Sequence, residues 1–190
     1  QRSNGGWVKD CTVERVGGRG IFIAGSADAA IERCTVRDSS STCMSFYGVR
    51  RGRMVDNRIF GAVGVHSNGS SCYLGCRDIL LARNIFYNGA NSTFQSIEGF
   101  TLFANVWDGL GHGQNIVATW PNTRNSSVET HGNMLYLNNT ILRAGRNLAA
   151  LFRFNDVFLH NNLIGGSATA RVAKQRSHNG WVGRFGLQRA

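Results

Sequence analysis

One short pattern recurs seven times along the 190-residue chain, and its spacing limits what the chain can fold into. Each copy runs through alternating apolar residues, two further positions, an Asn or Cys, and another apolar residue. Val55-Asp-Asn57-Arg-Ile59, Ala82-Arg-Asn84-Ile-Phe86 and His160-Asn-Asn162-Leu-Ile164 are typical. The anchors are Cys11, Cys34, Asn57, Asn84, Asn105, Asn139 and Asn162, separated by 23, 23, 27, 21, 34 and 23 residues. A period of this size marks a solenoid, propeller or array, whose units bury their apolar faces only against their neighbours. Inside each period the apolar residues alternate with the two-residue rhythm of a strand, as in Ile21-Phe-Ile23, Met44-Ser-Phe46 and Ile79-Leu-Leu81. Leucine-rich repeats share the period, but neither their leucine-dominated consensus nor a helix is present.

Each period is therefore a coil of short strands. An inward Asn at one fixed place per coil suits a parallel β-helix, where stacked Asn side chains can hydrogen-bond to one another and to the buried backbone of the corner. The composition agrees. There are 24 Gly and one Pro, and Pro would delete ladder hydrogen bonds while Gly permits tight turns. Hydrophobic residues at 42 % and charged residues at 17 % exclude a disordered chain and a coiled coil. No apolar run approaches the roughly 18 residues of a membrane span.

These repeats resemble those of the right-handed parallel β-helix superfamily of pectate lyases and related polysaccharide-active proteins, over about residues 6 to 166. The expected fold is all-β, a right-handed single-stranded parallel β-helix of about seven coils of roughly 23 residues with an Asn/Cys ladder. Residues 1–166 would form the helix domain. Residues 167–190 would form a last coil, a cap or a basic tail. Neither end shows a clear capping helix, so the chain is expected to belong to a larger protein, secreted or periplasmic.

The net charge is +10, and 19 of the 21 basic residues are arginines. Arginine's planar fork suits carboxylate, sulfate and phosphate oxygens, so an anionic polymer is the expected partner. No nucleic-acid motif accompanies the charge. The five cysteines form no zinc pattern. Cys11 and Cys34 occupy the anchor place in adjacent coils, where a disulfide or a reduced buried pair fits equally. Cys72 and Cys76 flank a turn and could pair with each other or with Cys43.

Function in a solenoid usually lies where the repeat departs from its period, because insertions become loops on one face. The long intervals place extra residues in 60–68 and in 109–124, and both insertions are expected to leave the same anchor corner. Three histidines, His66, His112 and His131, fall in or beside these departures, whereas His160 beside the ladder reads as structural. Gly111-His112-Gly113 is similar to the Gly-His-Gly of pectin-hydrolysing β-helix enzymes, but the paired aspartates of those enzymes are missing before it.

β-Elimination on a uronic acid needs its C6 carboxylate neutralised, a base for the C5 proton and an acid for the leaving oxygen. Arg77 or Arg124, with Asn68, is the candidate for the first role, His66 or His131 for the second, and Tyr73 for the third or as base. Gln95 and Trp120 are further candidate substrate contacts. No acidic cluster suggests a calcium site of the kind many pectate lyases use, so no metal or other cofactor is assigned. The expected function is a lyase acting on a uronic-acid polysaccharide. A β-helix glycoside hydrolase, a C5-epimerase and a non-catalytic carbohydrate-binding β-helix are the alternatives.

Overall fold

A computed structural model describes residues 4–62, 68–88, 92–95, 97–108, 117–120, 134–142, 149–150, 157–165, 168–170, 175–182 and 185–187. Each turn contributes one strand before the anchor, one after it, and a third that leads into the next turn. In the second turn these are Ala30–Glu32, Thr35–Ser39 and Met44–Tyr47. The strands before and after the anchor build one 14-stranded sheet, here sheet I, and the third strands build a six-stranded sheet, sheet II. All assigned strand pairings are parallel and join one turn to the next, as Met44–Tyr47 joins Ile21–Ala24 above and Ser70–Tyr73 below.

About five turns are present rather than seven. A motif copy marks only one corner of a turn, so the number of copies is not the number of complete turns. Beyond these turns Gln175–Val182 lies in parallel beside Val157–Gly165, and Ala168–Ala170 pairs with Phe185–Leu187. Among the described residues no helix is long and apolar enough to cross a membrane.

The strand rhythm sends alternate side chains inward, and stacking turns them into columns. Before the anchor the column is Val8, Ile31, Met54, Leu81, Leu102, Tyr136 and Leu159. After it come Val13, Val36, Ile59, Phe86, Trp107 and Ile141. Within this core Phe86 stacks on Trp107 at 5.0 Å and 3°, and Trp107 on Tyr136 at 6.2 Å and 16°.

The anchor corner explains why the sequence repeats Asn. Asn105 Oδ1 accepts from both the backbone N–H and the Nδ2 of Asn84, at 3.0 Å each, while its own Nδ2 donates to Leu81 O at 2.9 Å. The same three bonds recur at Asn57–Asn84, Asn105–Asn139 and Asn139–Asn162. Cys substitutes for Asn in the first two turns by using its weaker donor. Cys34 Sγ reaches Val8 O at 3.6 Å, the carbonyl that an Asn would take. No disulfide forms: all five cysteines are free, and Cys11 is exposed rather than buried.

The residue before each anchor is left-handed, with φ of 55° at Asp10, 50° at Arg33, 58° at Asp56, 54° at Arg83, 53° at Ala104, 54° at Asn138 and 51° at Asn161. An L-residue costs roughly 1–2 kcal/mol in this region, which the corner's hydrogen bonds offset. Gly20 answers a different need. A Cβ there would lie 2.5 Å from Cys43 O and 2.6 Å from Val36 Cγ1.

The register relocates one insertion. The extra residues after Asn57 lie between Phe60 and Ser70, as expected. The 34-residue interval divides. From Val106 to Val117 is 11 positions against 7 from Ile85 to Ser92, and from Val117 to Met134 is 17 against 8 from Ser92 to Phe100. Most of the excess therefore follows the sheet II strand Val117–Trp120, at a different corner from the first insertion, and only the smaller part shares that insertion's corner.

Candidate functional site

Sheet II carries the candidate site on the face turned away from the core. Met44 and Phe46 point inward and are fully buried, so Ser45 and Tyr47 point outward. Stacking places Phe22, Ser45, Ser71 and Thr93 in one outward column. Ala24, Tyr47 and Tyr73 form the next column.

The aromatic rings of these columns form a ladder along the axis. Phe22 meets Tyr47 edge-on at 5.0 Å, and Tyr47 meets Tyr73 at 5.2 Å. Arg19, on the turn leading into the first strand of the sheet, lies 4.7 Å from the Phe22 centroid and 4.6 Å from that of Tyr47. It also donates to the Tyr47 hydroxyl at 2.8 Å. At the other end Asn68 Nδ2 donates to the Tyr73 hydroxyl at 3.3 Å, and Thr93 Oγ1 donates to Asn68 Oδ1 at 2.8 Å. The amide is thus fixed with its nitrogen toward the phenol.

Burial is the main cause that pushes the Tyr73 phenol above its ordinary pKa. Neighbouring Tyr47 adds to the shift, while Ser71 and Asn68 oppose it. The Ser71 hydroxyl is buried and has no partner in hydrogen-bonding geometry. The Ser45 hydroxyl, one turn earlier in the same column, is likewise buried without a partner. Both hydroxyls lie in the strand column next to the aromatic ladder, and each costs stability while it is buried and unsatisfied.

Much of the arginine charge lies elsewhere. Six ion pairs join a carboxylate of one turn to an arginine of a neighbouring turn: Asp10–Arg33, Glu14–Arg37, Asp28–Arg51, Glu32–Arg53, Asp56–Arg83 and Glu98–Arg77. Their separations of 21, 23 or 27 residues are the coil periods themselves. Arg19, Arg50 and Arg58 have no ion pair with a described carboxylate, and Arg19 is the one at the ladder.

Of the candidates read from the sequence, Asn68 and Tyr73 come together as described. Arg77 lies round the next corner, where it pairs with Glu98 at 3.0 Å. Gln95 and Trp120 are paired with each other in sheet II; Gln95 follows Phe94, which pairs with Cys72, so both continue the level of Tyr73. His66, His112, His131 and Arg124 lie outside the described residues. Among the described residues no three His, Cys, Asp or Glu side chains come together as a metal site.

The sequence reading missed Arg19, Phe22 and Tyr47. The signal was available in part, since the apolar alternation of Ile21-Phe-Ile23 and Met44-Ser-Phe46 already exposes the residues between and beyond. Arg19 had no such signal, because it reaches the ladder from a turn.

Comparison with known proteins agrees with the geometry at the level of fold. Neither the curated proteins nor the solved structures give a match. A sequence profile described as "Right handed beta helix region" matches residues 1–122. This is well over half of the 190 residues and spans every turn that builds the aromatic ladder, and the chain belongs to the right-handed β-helix family.

Proposed function

We propose that the chain receives a linear acidic polysaccharide along the outward face of sheet II and cleaves it by β-elimination. The observation that carries this reading is the Phe22–Tyr47–Tyr73 ladder with Arg19 at one end and Asn68 at the other. Aromatic rings offer sugars an apolar platform, an amide meets hydroxyls, and a guanidinium pairs with a carboxylate. In-register strands lie about 4.8 Å apart, so the ladder repeats on the scale of one sugar unit.

In elimination the C5–H bond breaks, its electrons form the C4–C5 double bond, and the C4–O bond breaks toward the leaving sugar. Tyr73 suits the last step. Its raised pKa keeps the phenol protonated, which favours proton donation to the leaving oxygen over proton abstraction. The base is assigned to His66 or His131. His66 precedes Asn68 by two residues, and Asn68 is bonded to Tyr73. Arg19 and Asn68 are assigned to the uronate carboxylate and neighbouring hydroxyls.

Binding without turnover is a second reading. The described polar groups of this face are phenols, hydroxyls, an amide and a guanidinium, which bind sugars but include no base at neutral pH. Incubation with a panel of uronate polymers separates the two. A lyase generates the ultraviolet absorbance of an unsaturated uronate, whereas a binding module retains the polymer without producing it. Neither absorbance nor retention of any acidic polymer refutes both.

A further inference from the structure

The corner where sheet II leads back into sheet I holds a second basic feature. After Ala24, Tyr47 and Tyr73 the chain turns through Gly25, Gly48 and Leu74-Gly75, then brings Asn4, Ala27, Arg50 and Arg77 into one parallel column. A cleft of ≈ 390 Å³ opens here, with Gly25, Gly48 and Gly75 on its lining and Arg50 and Arg77 among its walls. This volume falls in the roughly 300–1,000 Å³ range of small-ligand sites.

The glycines make the cleft. Their φ values of 61°, 58° and 75° are left-handed, which glycine adopts without cost. A Cβ at Gly25 or Gly75 would meet nothing within 4 Å, so the space above the backbone is open. Arg50 and Arg77 stand in register in adjacent turns, about 4.8 Å apart along the axis. Like charges directly opposite one another are unfavourable. Arg77 is partly relieved by Glu98, whose exposed carboxylate lies 3.0 Å away, but Arg50 has no ion pair with a described carboxylate. Asp28 feels the charge of Arg50 but bonds Arg51 instead, so two forks, one without an ion pair to a described carboxylate, line an open glycine-lined cleft complementary to an oxyanion.

We propose that this cleft is an anion subsite, taking a carboxylate or sulfate group between the guanidinium groups of Arg50 and Arg77. Identifying the bearer of that group as the polysaccharide on sheet II rests on the preceding reading, and the position supports it. The cleft begins at the residues directly after Tyr47 and Tyr73 and runs beside the ladder, so an acidic side group of a glycan lying along the ladder points into it. The subsite discriminates acidic from neutral polymers at a distance from the reacting bond.

Two measurements test it, with Arg58→Ala as control, because Arg58 is exposed, lacks an ion pair with a described carboxylate and lies on a strand of sheet I. The first compares thermal midpoints in sodium sulfate and in sodium chloride at matched ionic strength. Sulfate stabilises proteins in general by exclusion, so the informative quantity is the part lost on mutation. Arg50→Ala and the milder Arg50→Gln should lose most of the sulfate-specific rise, and Arg58→Ala should keep it.

The second measures affinity for polygalacturonate, a sulfated dextran and neutral dextran. Arg50→Ala should weaken binding of a charged polymer about tenfold, the scale of one charge-assisted contact, and Arg58→Ala less than twofold. Preference for the first or second polymer tells carboxylate from sulfate. If the Arg50 and Arg58 variants behave alike in both measurements, the subsite is overturned. If sulfate stabilisation depends on Arg50 while no polymer binds the wild type, the subsite stands and the polysaccharide reading falls.

Discussion

Removing one rung of the buried amide ladder should cost far more than removing the same side chain from the surface. In Asn105→Ala, Asn84 N–H loses its acceptor, Asn84 Nδ2 loses one of two, Leu81 O loses a donor, and Asn139 Oδ1 loses one of its two donors from this turn. Asn105 is fully buried, so water cannot replace these partners without opening the corner. A buried group left unsatisfied costs about 1–3 kcal/mol, and loss of one bond of several about 1 kcal/mol. The total is roughly 4–6 kcal/mol, a large share of the 5–15 kcal/mol typical of a domain.

Asn138 provides the internal comparison. It receives one bond, from Asn161 Nδ2 at 2.9 Å, but both side chains are exposed. Asn138→Ala should therefore cost under about 1 kcal/mol. Urea unfolding followed by circular dichroism at constant m-value gives both numbers. A loss below about 1 kcal/mol for Asn105→Ala, or equal losses for the two variants, refutes the view that buried corner amides hold the turns together.

Three further outcomes are expected. Tyr136→Phe should leave stability unchanged or raise it by about 1 kcal/mol, because its buried hydroxyl has no partner and burial holds its pKa far up; a loss above 1 kcal/mol in urea unfolding contradicts this. Ala104→Gly should be neutral or stabilising by up to about 1 kcal/mol, since the left-handed strain at φ 53° is relieved against the entropy of the added glycine. Its thermal midpoint reads this directly. Asp10, Glu14, Asp28, Glu32 and Asp56 are all held below their ordinary pKa, chiefly by a hydrogen bond from an arginine. The fold therefore favours their ionised form: the contribution is fully present above the ordinary values and is lost as pH falls through the lowered ones. Thermal midpoints should drop below about pH 4, more steeply in low salt than in 1 M salt, and a flat profile contradicts the ion-pair columns.

The anchors were legible because a buried corner amide leaves a fixed spacing in the sequence. Cys11, Cys34 and the five Asn mark the same corner in the structure as in the pattern. The number of turns was not legible from them, since an anchor reports one corner and says nothing of sheet II. The arginine excess was misleading as a direct map of a binding groove. Arg33, Arg51 and Arg83 sit opposite Asp10, Asp28 and Asp56 one coil away, a relation visible only once the register is known. The site shows the same division. Asn68 and Tyr73 are close in sequence and each was named, for separate roles, whereas Arg19 meets Tyr47 across 28 residues, and no local pattern announces such a contact. The second insertion was misplaced because interval length does not say on which side of a strand the extra residues fall.

The central claim concerns what the ladder does, and the rate of unsaturated-uronate formation by wild type and Tyr73→Phe on the same polyuronate tests it most directly. Phenylalanine keeps the ring of the ladder and removes only the proton. The account predicts a kcat roughly 100-fold lower with KM nearly unchanged; equal kcat in the two proteins would contradict it.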